Sequence, residues 1–149
     1  MILPRGITGF WGTATAPPPH LDEKAFCQMC YSIAMENGGT VTELDTDTYP
    51  RNFYSAQIRR HDDAVFILQN IHYPYAAFAQ RDGFGGFVLT SQPEWFRLST
   101  GLVHFQSLAE LNQGWHNSCG ELSSEELEQI RYWRAQTIGE IIFKEPLIK

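Results

Sequence analysis

The sharpest chemical spacing in the chain lies in two short segments, Cys27-Gln28-Met29-Cys30 and His116-Asn117-Ser118-Cys119. Three thiolates and an imidazole make a tetrahedral zinc set, and each segment carries the two-residue gap that such sites use. The setting argues for packing instead. Cys27 and Cys30 fall inside an amphipathic helical pattern, where free cysteine behaves as a small apolar side chain. No glycine shapes a knuckle around them. A thioredoxin-type redox pair opens a helix directly after a strand, whereas Cys27 sits more than a turn into one. No metal and no other cofactor is expected.

Carboxylates form the second pattern. Glu43, Asp45 and Asp47 alternate along a strand-like stretch, and Asp62-Asp63 follows in a turn. Acids on one strand face must be solvated or matched by cations, because a buried unpaired charge is too costly. A solvated strand face accounts for them, and so does an acidic strip that docks a basic protein. Glu121, Glu125, Glu126 and Glu128 instead cluster where a helix begins, at its positive end.

Catalytic patterns are weaker. Five histidines stand at 20, 61, 72, 104 and 116, but no serine lies in a Gly-x-Ser-x-Gly elbow. Asp82-Gly83-Phe84-Gly85-Gly86 lacks the lysine and helix start of a phosphate loop. It reads as a turn with positive φ. Its functional alternative is a loop beside a pocket near Gly83–Phe87, lined by Tyr73, Tyr75 and Trp95 with Phe84 as a lid.

The elements that position these residues follow from periodicity and caps. Residues 21–37 read as a helix with Asp22 at its start and Gly38-Gly39 at its end; Phe26, Cys30 and Ile33 share its apolar face. Residues 40–46 read as a strand. Residues 52–60 and 64–71 form a hairpin, the second arm apolar on both faces and so central. Further strands are expected at 75–80 and 86–90. Ser107 with Glu110, and Ser123 with Glu126, make capping boxes for two helices. Residues 94–98 fit a helical turn or a strand, and so do residues 137–143. Within residues 1–20, the first eleven read as an extended segment burying Phe10 and Trp11, followed over 12–20 by a spacer stiffened by Pro17-Pro18-Pro19. Together these predict one α+β domain over residues 1–149: a mostly antiparallel sheet of about four to six strands with helices on one face.

Bulk composition narrows the class. The chain has 149 residues, 43% hydrophobic and 13% aromatic, with a formal net charge of -6. That aromatic content excludes a disordered acidic chain. Eleven basic against seventeen acidic residues argue against a nucleic-acid partner, which needs a basic face to displace counterions. The longest apolar runs fall far short of the ~20 residues that span a bilayer, so no membrane role is expected. The start lacks a signal-peptide pattern and three cysteines make no disulfide framework, which points to the cytoplasm. Oligomeric state is left open.

The segments Leu3-Pro-Arg-Gly-Ile-Thr-Gly-Phe10, Ile130-Arg-Tyr-Trp-Arg134 and Thr137-Ile-Gly-Glu-Ile-Ile-Phe143 resemble parts of small uncharacterised bacterial proteins. Some of those resemble immunity proteins of polymorphic-toxin and contact-dependent inhibition systems. The resemblance covers about a third of the chain and brings no catalytic or binding residue with it. It implies an α+β domain that binds and neutralises one cognate toxin. With the acidic balance, the expectation is a non-enzymatic protein holding a basic toxin domain through Glu43, Asp45, Asp47, Asp62 and Asp63. The alternative is a small enzyme or ligand-binding domain using the pocket named above.

Overall fold

A computed structural model describes residues 1–9, 20–47, 51–98 and 103–144. Its elements run α1 (Glu23–Glu36), β1 (Thr40–Asp45), β2 (Phe53–Arg60), β3 (Asp63–Asn70), β4 (Tyr75–Arg81), β5 (Phe87–Thr90), β6 (His104–Phe105), α2 (Leu108–Leu111), α3 (Ser124–Trp133) and α4 (Ile138–Ile142). The α+β class is as expected. Strands β1 to β5 form an antiparallel meander in chain order. β4 shares its outer edge: β5 pairs with Phe78 to Arg81, and β6 lies parallel to Tyr75 and Ala76.

Helices cover both faces of the sheet, which corrects the one-faced arrangement. Alternation along the central strands sets the two sides. Tyr54, Ala56, Ile58, Val65, Ile67 and Phe78 face α1 and its buried Phe26, Cys30 and Ile33. Phe53, Phe66, Leu68, Ala77 and Ala79 face α2, α3, α4 and the N-terminal segment through Leu111, Ile130, Ile141, Leu3 and Ile7. The second core forms only when residues from both chain ends meet, so strand alternation alone does not reveal its lid.

The caps are as the sequence requires. Asp22 accepts from Lys24 N, and Ser123 with Glu126 forms a complete capping box. Thr137 caps α4, which decides the 137–143 stretch in favour of helix. Residues 94–98 are neither helix nor strand. They cross under α1, where Asn37 accepts from Arg97 N at 2.7 Å and donates to Arg97 O at 3.0 Å.

The first nine residues do not run extended. They turn at 5–8, with Gly6 and Gly9 at positive φ, and bury Leu3 and Ile7. Glu126 holds this turn: its buried carboxylate accepts from Gly6 N and Thr8 Oγ1, both at 2.9 Å. Phe10, Trp11 and the proline spacer lie outside the described residues.

Candidate functional site

The sheet separates the two cysteine-bearing segments. Cys30 is buried on the inner side of α1 against one face, while Cys119 packs on the core of the other. Burial, then neighbouring Cys27, pushes the Cys30 thiol up to about 12. Burial and then Glu23 also raise Cys27. Among the described residues, no three His, Cys, Asp or Glu side chains are grouped to hold a metal ion.

The five acids do not form one strip. Asp45 pairs in register with Ser55, and Asp63 with Arg60, so these two sit toward opposite ends of β2, and Glu43 lies opposite its middle. At the usual rise that is about 17 Å. Glu43 occupies an irregularity in β1, at φ 49, and forms an ion pair with Arg81 at 3.8 Å. Asp45 is paired with Arg51, and accepts from Asp47 N at 3.0 Å.

Asp62 and Asp63 lie in a different setting, at the end of the sheet that also carries the β4–β5 turn. Asp62 is exposed. Asp63 accepts from Ala64 N at 2.9 Å and from Trp95 Nε1 at 2.7 Å. The Arg60 guanidinium stands 5.8 Å from the Trp95 ring. In the next turn, Asp82 Oδ1 accepts from Phe84 N at 2.7 Å and Gly86 N at 3.0 Å, with Gly83 and Gly85 at positive φ. That locked turn holds Phe84 88% exposed. A cleft of about 430 Å³ by the C-terminal end of α1 is lined by Glu36, Arg60, Glu94, Trp95 and Arg97. Its charges are mixed, with an indole on one wall.

Tyr73, Tyr75, Phe84 and Trp95 do not converge on one pocket. Tyr73 and Tyr75 stack at 6.4 Å at the far end of β4 from the Phe84 turn. Tyr73 hydrogen-bonds to Arg5 O, and burial followed by Glu126 raises its phenol. Trp95 packs on the α1 face.

Two further cavities flank β5, and sequence reasoning did not find them. One of about 400 Å³ is lined by Phe87, Val88, Leu89, Leu108, Glu140 and Phe143, among others. The other, about 300 Å³, is lined by Phe78, Thr90, Ser91, Phe105 and Leu108, among others. They arise because β5 and α2 diverge from the shared edge of β4, a junction that no local pattern encodes. Searches of protein-family models, curated proteins and solved structures find nothing that matches the chain.

Proposed function

We propose that this chain is an immunity-type protein, which neutralises a basic toxin domain by binding it at the turn end of the sheet. Phe84 carries the reading. It stands 88% exposed on a turn that the Asp82 bonds hold, so an apolar anchor is presented already ordered. The same end of the sheet carries the carboxylates of Asp62, Asp63, Asp82 and Glu94, all on exposed residues. An aromatic anchor within an acidic rim combines durable contact with steering of a cationic partner. Glu43 and Asp45 are already matched by Arg81 and Arg51, so they contribute less than Asp62 to that field.

The test begins with capture of the tagged protein from its native host and identification of chains that co-purify in stoichiometric amount. The expected partner is basic, kills when expressed alone and is harmless beside this protein. Phe84→Ala should weaken that complex roughly 30-fold, the scale of a single binding hot spot. Asp62→Lys should slow association and flatten its salt dependence. Full affinity and unchanged salt dependence in both variants would reject this surface. A captured partner that is not toxic would reject the immunity reading.

A further inference from the structure

The larger of the two cavities beside β5 has the lining of a ligand site. It opens between that strand and the helices α2 and α4, with Asn112 and Glu140 as exposed residues of its mouth. Phe53 and Leu68 also line it, and both are only 1% exposed, so it reaches the buried core. Three phenyl rings meet there. Phe53 lies edge to face with Phe87 at 6.0 Å and with Phe143 at 6.1 Å, at interplanar angles of 73° and 79°. These rings come from β2, β5 and the end of α4. Gly139 lets α4 approach β5 closely enough to wall them in, since a Cβ there would lie 2.6 Å from Leu89 Cδ1.

Ring geometry and charge together select the occupant. Space bounded by apolar rings gives water few partners, so an apolar molecule displaces it at a gain. Rings set perpendicular to one another favour a further aromatic ring over an aliphatic one, because the edge of one meets the face of the next. A cation gains little from them. The Arg51 guanidinium already stands 5.2 Å from the centre of the Phe53 ring, and that of Arg81 stands 4.6 Å from the centre of Phe87. An anion fares no better, since among the described residues Glu140 is the charged member of the lining. Two polar groups of α4 are already engaged: Thr137 Oγ1 accepts from Glu140 N at 3.2 Å, and Glu140 Oε2 accepts from Gln136 N at 2.7 Å. Asn112 supplies an amide for one ligand N–H or hydroxyl. We propose that this cavity binds a small neutral aromatic molecule of one or two rings, its polar atom turned toward Asn112. An apolar cavity of about 150 Å³ takes a single benzene. The volume of about 400 Å³ here leaves room for a fused pair of rings. None of Asp62, Asp63 or Phe84 lines the cavity, so this site does not rest on the toxin reading.

The experiment titrates the full chain, isotopically labelled at its leucine methyls, with indole. The methyls of Leu68, Leu89 and Leu108 should shift together and show contacts to the indole ring, with a Kd below about 1 mM. Phenol should bind roughly two- to tenfold more tightly than cyclohexanol, the scale of one aromatic pair. Indole-3-acetate and tryptamine, the anionic and cationic relatives of indole, should each bind about tenfold more weakly than indole itself. Glu140→Gln, at an exposed position, should leave indole binding unchanged and recover about threefold for indole-3-acetate. Leu108→Trp fills the space from α2 and should abolish the methyl shifts. Unshifted methyls at about 2 mM indole would overturn the proposal. So would equal binding of phenol and cyclohexanol, or tryptamine binding more tightly than indole. Undiminished indole binding by Leu108→Trp would place the ligand elsewhere and overturn it as well. Contacts from indole to leucine methyls outside the cavity would do the same in the unaltered chain, so the assignment stands or falls even if Leu108→Trp does not fold.

Discussion

Cys30 is the residue whose surroundings alter its chemistry most. It is fully buried on the sheet-facing side of α1, and its thiol is pushed from 9.0 to about 12 by burial first and Cys27 second. A raised folded-state value means that folding disfavours the thiolate. The associated stability is whole below about pH 9 and is lost as pH climbs toward 12. Between those limits the native protein should lose up to ~1.4 kcal/mol per pH unit more than Cys30→Ala does. Urea unfolding of both proteins at stepped pH checks the difference in slope. Equal slopes would mean that Cys30 ionises freely in the folded chain. The same burial explains why a spacing familiar from zinc sites is here part of a core. The Cys27–Cys30 interval places Cys30 on the apolar helix face, and the sheet stands between it and Cys119.

At the scale of elements, α4 shows how packing overrides propensity. A Cβ on Gly139 would lie 2.6 Å from Leu89 Cδ1 and 3.1 Å from Leu111 O. Alanine there gains about 1 kcal/mol of helix propensity. The overlap with a packed strand and a backbone carbonyl costs roughly 1–3 kcal/mol, so Gly139→Ala should be destabilising on balance. A lowered urea midpoint with unchanged slope is the expected result, and a raised midpoint would show that α4 can slide away from β5. The approach of α4 to Leu89 also shapes the first cavity, so this glycine belongs to the site as well as to the fold. The Ser123–Glu126 capping box, the hairpin and the first helix were legible because each depends on residues within one turn or one strand pair, whereas at α2 only the Ser107 half of the expected box forms. The 137–143 stretch was not, since Ile141, Ile142 and Phe143 suit either a helix or a strand until a partner surface is present.

For the whole molecule, two buried asparagines join the ends of the chain to the sheet. Asn52 donates to Ile7 O and Ile141 O, both at 3.0 Å, and accepts from Lys144 N at 2.6 Å. Asn70 donates to Ile7 O at 3.0 Å and Ile142 O at 2.8 Å, and accepts from His72 N and Tyr73 N. Asn70→Ala strands several buried backbone groups and should cost about 3 kcal/mol, at 1–3 kcal/mol for each group left unsatisfied. Adding Asn52→Ala should cost less than its separate effect, because both amides serve the same carbonyl of Ile7. Amide exchange should then rise together in residues 5–8 and in α4; a rise in only one of them would show that the two ends are held independently. The sequence by itself determined the α+β class, the five main strand segments and the helix caps, because each follows from local alternation or a short hydrogen-bonded motif. Only the tertiary structure decided the strand order, that both sheet faces are covered, that the five acids form no single strip, and that cavities open beside β5. Those features depend on contacts between residues far apart in the chain, such as Gly6 with Glu126 and Leu89 with Gly139, whose partners no local period or spacing identifies.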